Sequence, residues 1–176
     1  MRKLTMEELG RLSVEDFKQV QKHPAVIVLD NVRSMHNVGA IFRTCDAFLV
    51  EKLALCGITA TPPHREIQKT ALGATESVLW EHFQNTKDAV FKLKSEGFNI
   101  VIVEQTNQSV RLQNFKPQIA QKYAFVFGNE AFGVSDEVVS LGNFSLEIPQ
   151  FGTKHSLNIA VSVGIVLWHY TQALIV

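Results

Sequence analysis

The stretch AVIVLDNVRSMHNVGAIFRTCDAF, residues 25–48, holds the first strand and helix of the predicted fold. Its opening run, AVIVLD, is continuously apolar, which is typical of a strand buried on both faces of a parallel sheet. Asn37 is a favoured type of helix N-cap. Apolar residues then follow at the i, i+3, i+4, i+7 spacing of one helix face: Val38, Ile41, Phe42 and Cys45. The stretch therefore predicts a buried strand, then an amphipathic helix capped by Asn37.

Similar units recur along the chain. Further strands are predicted at KLALCG (52–57), SVLWEHF (77–83), FNIVIVEQ (98–105), YAFVFGNE (123–130) and FSLEIP (144–149). Further helices are predicted at TKDAVFKLKSEG (86–97), SDEVVSLG (135–142) and the apolar C-terminal segment 156–175. Strands that alternate with helices predict an α/β fold with a parallel sheet flanked by helices. The ligand crevice of such a sheet lies beyond the carboxyl ends of its strands.

The N-terminal residues carry two capping-box patterns, Thr5-x-x-Glu8 and Ser13-x-x-Asp16. They predict two short helices, or one helix broken near Gly10, in an extension over residues 1–22, followed by one domain over residues 23–176. The first ten residues lack the long apolar core of a signal peptide. In the C-terminal segment, polar residues interrupt the apolar run, so we expect a helix buried on nearly all sides and no membrane span.

Composition limits the classes of function. Hydrophobic residues make up 46% and charged residues 19% of the 176-residue chain, which is typical of a soluble globular protein. Lys+Arg and Asp+Glu both number 17, so any nucleic acid must bind through a local patch. Cys45 and Cys56 form no CxxC pair and are expected to be reduced packing residues of a cytosolic chain. The six histidines lack metal-ligand spacing, so no metal site is expected.

Gly39 and Arg43 form an i, i+4 pair on the predicted helix. Because helical side chains lean toward the N-terminus, Arg43 is expected to lie back over Gly39 and bring its guanidinium near Asn37. A cation beside a helix N-terminus suits a phosphate or another oxyanion. The alternative is that Arg43 pairs with Asp46 or Asp30, while Gly39 merely permits tight packing.

Two later segments also follow predicted strands. GNEAFG (128–133) is a turn whose glycines allow close approach of a ligand, and Glu130 could accept a hydrogen bond from a ribose or an arginine. IPQFGTKHSLN (148–158) is a loop in which Ser156 or His155 could cap the last helix. Asn158, within that helix, would be a buried amide that needs partners. An ordinary turn with a solvated glutamate, and a plain helix cap, remain open alternatives.

PPHREIQKTALGAT (62–75) gathers His64, Arg65 and Lys69 within six residues. The stretch shows no clear helix or strand pattern, so it predicts a functional loop with a local basic patch. The alternative is ordinary solvated surface.

Three segments in this order resemble the signature motifs of the SpoU/TrmH family of RNA ribose 2′-O-methyltransferases, part of the SPOUT superfamily: NVRSMHNVGAIFRTCDAF, FVFGNEAFGVSDEV and LEIPQFGTKHSLNIAVSVGIVLW. TPPHREIQKTALGAT and the EQT at 104–106 also resemble the tRNA-modifying branch. The resemblance covers roughly residues 25–170. It implies a C-terminal trefoil knot whose loops bind S-adenosyl-L-methionine largely through backbone groups. It also implies a homodimer with the site at the interface, to which the 156–175 helix contributes.

The resemblance implies methyl transfer to a ribose 2′-hydroxyl of RNA, with tRNA favoured. Matching the motifs gives the catalytic candidates Asn37, Arg43, Glu130, Ser156 and Asn158. The cofactor-binding candidates are Glu104, Gly128, Asn129, Ile148 and Leu157. The RNA-binding candidates are Arg33, His64, Arg65, Lys69 and Lys154. Arg43 would either activate the 2′-oxygen or clamp the adjacent phosphate. Alternatives are the same chemistry on ribosomal RNA, a non-catalytic RNA-binding dimer, and a nucleotide- or flavin-binding domain with other chemistry.

Overall fold

The structure is a computed structural model that describes residues 1–5 and 7–175. Met6 of the predicted extension and Val176 of the predicted domain lie outside the described residues. The strands are β1 (His23–Asp30), β2 (Val50–Cys56), β3 (Trp80–Phe83), β4 (Phe98–Val103), β5 (Val110–Arg111), β6 (Lys122–Phe127) and β7 (Phe144–Glu147). The helices are α1 (Val14–Gln19), α2 (Met35–Ala47), α3 (Arg65–Ala71), α4 (Ala74–Ser77), α5 (Thr86–Ser95), α6 (Asp136–Val139) and α7 (Ile159–Gln172).

All strand pairs are parallel, and the seven strands lie in the order β3-β2-β1-β6-β4-β7-β5. The predicted α/β fold with a parallel sheet flanked by helices is confirmed. Since β6, β4 and β7 are neighbours, the loops after them meet at one edge of the sheet. This order joins segments that are far apart in the chain.

Alternate residues of β1 pack into two different cores. Ala25, Ile27 and Leu29 lie in the core that includes residues of α2 and α7. Val26 and Val28 lie in the opposite core, against residues of α5. Burying one such aliphatic side chain stabilises the fold by about 1.5–3 kcal/mol. The two-sided burial explains why this strand reads as a continuous apolar run.

Helix α2 begins three residues earlier than its sequence predicted. Ser34 is the N-cap, and its Oγ accepts the backbone N–H of Asn37 at 3.3 Å. The prediction that Asn37 caps this helix is therefore wrong. Serine caps a helix as well as asparagine does, and the earlier start places Asn37 in the first turn. Its side chain is then available for other partners.

Residues 62–75 are largely helical, so the prediction of a functional loop was wrong. The segment contains α3 and the first half of α4, and His64 caps α3 by accepting the Glu66 N–H at 3.2 Å. Ile67 and Ala71, spaced i and i+4, are the buried face that sequence inspection missed. Since α4 extends to Ser77, β3 starts later than the predicted strand.

Gly39 is buried where α3 packs on α2. A Cβ at Gly39 would lie 2.1 Å from Thr70 Oγ1 and 2.2 Å from the Ile67 carbonyl oxygen. The space beside Gly39 is thus filled by α3, and Arg43 cannot lie across it. The alternative of tight packing at Gly39 is correct.

The N-terminal patterns gave one helix. Ser13 caps α1 through the Asp16 N–H at 3.0 Å, and Phe17 of α1 is buried in the main core. Thr5 and Glu8 form both hydrogen bonds of a capping box, at 2.8 and 3.3 Å, but a turn follows instead of a helix. The division between residues 1–22 and 23–176 stays a prediction.

Helix α7 is shorter than predicted and only partly buried. Val163, Val166 and Leu167 are fully buried, whereas Val161 and Trp168 are 50% and 58% exposed. The prediction of burial on nearly all sides is therefore wrong for the single chain. Among the described residues, no helix combines the length and apolar character that a membrane crossing requires. Helix α6 is likewise shorter than its predicted range.

Candidate active site

A cleft of about 580 Å³ lies at the carboxyl ends of β4, β6 and β7. Its lining comes from four segments: 103–105, 127–133, 146–150 and 155–159, with Ser162. This location confirms the sequence prediction that the strand ends form the crevice. The lining joins the second and third signature segments, which are separated in the chain by residues 139–145.

Glu130 is the hub of the hydrogen bonds at this cleft. Its Oε2 accepts the backbone N–H of Arg33 at 3.0 Å, and its Oε1 accepts the N–H of Ser34 at 3.1 Å. The same Oε1 accepts Asn37 Nδ2 at 3.1 Å. Partial burial raises the pKa of Glu130, but these hydrogen bonds outweigh it, so the pKa lies below its usual 4.5. Glu130 is therefore a carboxylate at neutral pH.

Asn158 extends this network to the third segment. Its Nδ2 donates to Asn37 Oδ1 at 3.1 Å, across 121 positions of sequence. Its Oδ1 accepts the Ala160 N–H at 2.9 Å and so caps α7. The predictions that Asn158 is buried within the helix, and that Ser156 or His155 caps it, are wrong. The three signature segments are nevertheless joined through Asn158, Asn37 and Glu130.

The turn after β6 is held in one conformation. The backbones of Asn129 and Gly133 exchange hydrogen bonds of 2.9 and 2.8 Å. Gly133 has a φ of +70°, and a Cβ there would lie 2.3 Å from Glu104 Oε2. A Cβ at Gly128 would lie 1.9 Å from the Gly133 carbonyl carbon. Both positions therefore require glycine, as the GNEAFG pattern suggested.

The five residues predicted to bind a cofactor all line the cleft: Glu104, Gly128, Asn129, Ile148 and Leu157. Ser156 lines it as well. Sequence reasoning missed Gln105, whose Nε2 donates to the His155 carbonyl at 2.9 Å and ties the 148–158 loop to the end of β4. Gln105 lies in the EQT that resembles the tRNA-modifying branch, but a glutamine at a strand end carries no further signal that would give it a role.

The buried carboxylate of Asp30 holds together chain segments beside the cleft. Asp30, 2% exposed, accepts the N–H and hydroxyl of Ser135 at 2.9 and 3.0 Å. It also accepts hydrogen bonds from Asn31 and Thr86. Asn31 has a φ of 57°, and its carbonyl accepts Asn129 Nδ2 at 2.7 Å. This pair fixes the end of β1 against the turn after β6.

Arg43 lies apart from the cleft in the single chain. It is exposed and borders a separate hollow with Lys69, Thr70 and Phe48. Arg43 forms no hydrogen bond or ion pair with any residue in 1–5 or 7–175. The expectation that its guanidinium reaches Asn37 is therefore wrong within one chain. Pairing with Asp46 or Asp30 is absent from the described structure as well.

The predicted RNA-binding residues lie in three places. Arg33 is exposed just before α2, and Lys154 is exposed in the 148–158 loop. His64, Arg65 and Lys69 lie on or beside α3. The patch on α3 is partly neutralised, because Glu66 accepts Lys69 Nζ at 2.7 Å and lies 2.8 Å from His36 Nε2. The ammonium of Lys69 and the His36 imidazole hold the pKa of Glu66 below its usual value.

The two cysteines serve packing. Cys45 and Cys56 are free and buried, and burial raises the pKa of the Cys56 thiol to about 12. Such thiols are unreactive at neutral pH. Within the part of the chain that the structure describes, no three His, Cys, Asp or Glu residues could hold a metal ion together.

The chain forms an α/β domain with a parallel sheet, and its candidate site is a cleft where three separated polar segments meet. The SpoU rRNA Methylase family model matches residues 24–168. The chain therefore belongs to the SpoU rRNA Methylase family.

The relatives are tRNA- and rRNA-modifying proteins. The tRNA (guanosine(18)-2′-O)-methyltransferase of Aquifex aeolicus is 33% identical over 147 residues, which cover 81% of this chain and 66% of that protein. The TrmH/SpoU tRNA modifying enzyme structure from A. aeolicus superposes with a TM-score of 0.78 at 29% identity, covering 91% of this chain and 79% of that one. The AdoMet-bound rRNA methyltransferase structure from Sinorhizobium meliloti superposes with a TM-score of 0.81 at 26% identity. The superposition covers 90% of this chain and 60% of that one. This chain thus spans less than two thirds of the first and third of these proteins.

Proposed function

We propose that this chain is an S-adenosyl-L-methionine-dependent methyltransferase that acts on a ribose 2′-hydroxyl of tRNA. The observation that carries the proposal is the hydrogen-bonded chain from Asn158 through Asn37 to Glu130 at the wall of the cleft. These residues come from the three signature segments, and an ordinary surface turn would not require them to meet. Their amides and carboxylate could orient a sugar hydroxyl.

The cleft fits the proposed cofactor in size and chemistry. Its volume of about 580 Å³ lies within the range of small-molecule sites. Gly128 and Gly133, which have no side chains, line the cleft, and Ile148 and Leu157 add apolar surface. We assign cofactor binding to Glu104, Gly128, Asn129, Ile148 and Leu157. The bound cofactor supplies an electrophilic methyl group on a sulfonium.

The protein must hold the 2′-hydroxyl and ease loss of its proton, since a hydroxyl is a poor nucleophile at neutral pH. Asn37 and Asn158 orient the ribose, with Glu130 fixing the Asn37 amide and Ser156 shaping the pocket. Arg43 clamps the adjacent phosphate and donates a hydrogen bond to the 2′-oxygen, which lowers the pKa of that hydroxyl. A guanidinium barely deprotonates, so Arg43 is a clamp and not the base, and the hydroxyl proton passes to water in the open cleft as the 2′-oxygen accepts the methyl group. Holding both reactants in line supplies much of the rate acceleration.

We further infer that the active form is a homodimer in which Arg43 completes the partner's cleft. Arg43 lies outside the cleft of its own chain. The exposed Val161 and Trp168 on α7, with Trp168 packed edge-on against Phe48 of α2, offer an apolar surface for a second copy. Association would bury these side chains and account for the apolar character of α7.

Mixing two inactive variants tests the shared site. In a dimer of one Arg43→Ala chain and one Asn158→Ala chain, a site completed in trans is intact once. Random mixing should then restore about a quarter of wild-type activity, because half of the dimers are mixed and each has one working site. No recovery after exchange of subunits would show that Arg43 acts within its own chain.

The remaining parts of the proposal follow the family. The segment that includes β6, β7 and α7 forms a trefoil knot, which an experimental structure traced through residues 122–172 can test. The enzyme works in the cytoplasm, in keeping with its two free thiols, and needs no metal. Arg33, His64, Arg65, Lys69 and Lys154 contact RNA phosphates. Charge-neutralising substitutions should weaken binding and reduce its dependence on salt.

The experiment that tests the activity is ribose-methylation mapping in a strain that lacks the gene. Loss of one 2′-O-methyl mark in tRNA is expected. Loss of a mark in ribosomal RNA would redirect the proposal to the second candidate, which the similarity to the S. meliloti rRNA methyltransferase favours. Calorimetry should show binding of S-adenosylmethionine, whereas binding of flavin or nucleotides instead would overturn the assignment.

A further inference from the structure

Phe132 is an exposed aromatic ring on the wall of the candidate cleft. Its side chain is 86% exposed, and it lines the same cavity as Glu130 and Asn158. Exposing a large apolar side chain to water costs free energy. A ring held in solvent beside a substrate cleft therefore favours a ligand whose flat face can cover it. We propose that Phe132 stacks on the nucleobase of the nucleotide bound at this cleft. This inference rests on the proposed function.

The backbone that presents Phe132 is already ordered. Asn129 Oδ1 accepts the N–H groups of Ala131 and Phe132 at 2.8 and 3.3 Å. The bridge between Asn129 and Gly133 closes the turn around them. Since the turn is fixed before any ligand arrives, binding orders little more than the ring itself, and the stacking energy is retained as affinity.

The position of Phe132 fits the geometry of a nucleoside. Glu130, two residues earlier, is hydrogen-bonded to Asn37, whose amide also contacts Asn158. If the ribose lies at this cluster, its base extends from the carbon next to the one that carries the 2′-hydroxyl. Phe132 lines the same cleft as Glu130 and Asn158, and its ring offers a face that any base can stack on.

The zero net charge of the chain increases the share of RNA affinity that base stacking must supply. Acidic and basic residues balance to a net charge of 0, so a general positive field contributes little to RNA affinity. Base–aromatic stacking is worth about 5- to 150-fold in affinity for each base. Phe151 is also exposed, at 98%, but it does not line the cleft, so the observations favour Phe132.

The test compares RNA binding by matched variants in the presence of S-adenosylhomocysteine. The probe is a mixture of unmodified bacterial tRNA transcripts, measured by filter binding. Phe132→Ala should raise the Kd for RNA by about 5- to 150-fold. Phe132→Trp should bind RNA as tightly as the wild type. Phe132→Leu should bind RNA as weakly as the alanine variant, because leucine has no aromatic face. Phe91→Ala is the control, since Phe91 is a 54%-exposed ring on α5 that does not line the cleft.

Several outcomes would overturn the inference. They are wild-type affinity for Phe132→Leu, an equal loss of S-adenosylhomocysteine binding in Phe132→Ala, conversion of that variant to a monomer, and no RNA binding by the wild type. The first three would assign Phe132 to general apolar contact, to the cofactor, or to a second copy of the chain.

Methyl transfer to the same transcripts separates the inference from the proposed function. If the wild type binds RNA in a Phe132-dependent manner but transfers no methyl group to the transcripts or to ribosomal RNA, the proposed function fails and stacking stands. If the wild type methylates RNA and Phe132→Ala leaves the KM for RNA unchanged, stacking fails and the function stands.

Discussion

Glu130→Gln changes one atom of the cleft's central side chain. The carboxylate accepts three hydrogen bonds, from the backbone of Arg33 and Ser34 and from the Asn37 amide. Glutamine can keep its oxygen toward Ser34 and Asn37, but its NH₂ then faces the Arg33 N–H, donor against donor. A hydrogen bond to a charged group contributes about 1.5–3 kcal/mol, and the exposure of Glu130 favours the lower end.

Losing the Arg33 hydrogen bond is therefore expected to cost about 1.5–2 kcal/mol in the position of side chain 130, which holds the Asn37 amide, or about a 10- to 30-fold fall in kcat. The assay is single-turnover methyl transfer to tRNA transcripts at saturating cofactor. Glu76→Gln is the matched control, because Glu76 is an exposed carboxylate with no hydrogen bond or ion pair to the described residues. Wild-type turnover in Glu130→Gln would refute the role given to this network.

The same variant has a signature in acid. The pKa of Glu130 is lower in the folded chain than in the unfolded chain, where it is about 4.3. The carboxylate therefore contributes fully to stability above about pH 4.3. This contribution is lost as the pH falls through the lower pKa of the folded chain. Denaturant unfolding at pH 7 and pH 3 should show less loss of stability for Glu130→Gln than for wild type. An equal loss in both would mean that the carboxylate gains nothing on folding.

Three further substitutions, with Gly164→Ala as a control, test separate features. Gly39→Ala places a Cβ 2.1 Å from Thr70 Oγ1 and should lower Tm by about 3–5 °C. Gly164→Ala in α7, where nothing lies within 4 Å, should not lower it, and equal melting of the two would contradict the packing argument. Asn158→Ala should cost about 0.5–2 kcal/mol of helix stability, and unchanged hydrogen exchange in the first turn of α7 would contradict its role as cap. Arg43→Lys should lower turnover more than about tenfold because lysine cannot clamp a phosphate bidentately. Near-wild-type turnover would rule out Arg43 both as activator of the 2′-oxygen and as clamp of the phosphate.

The strands were predictable because their burial is two-sided. Runs such as AVIVLD and FNIVIV contain enough apolar residues to fill both faces, and the structure places them at β1 and β4. The helical character of residues 62–75 was missed because only Ile67 and Ala71 mark its buried face. Polar residues around them made the segment look like a loop. Short helices give too few periodic positions for the pattern to be decisive.

The contacts among the candidate residues were only partly predictable, and the roles of those residues stay predictions. The motifs named Asn37, Glu130 and Asn158, and these residues are in contact. Local helix geometry could not show that α3 would occupy the space beside Gly39. That packing is a tertiary contact, and it is why Arg43 does not lie where the i, i+4 argument placed it.

The hydrogen bond between Asn37 and Asn158 also has a consequence for synthesis of the protein. It joins two residues 121 positions apart, so the network around Glu130 cannot be complete until Asn158 has left the ribosome. Nascent chains that end before α7 would contain all seven described strands of the sheet but only part of the cleft. Function would therefore appear abruptly, near the end of translation, rather than grow with chain length.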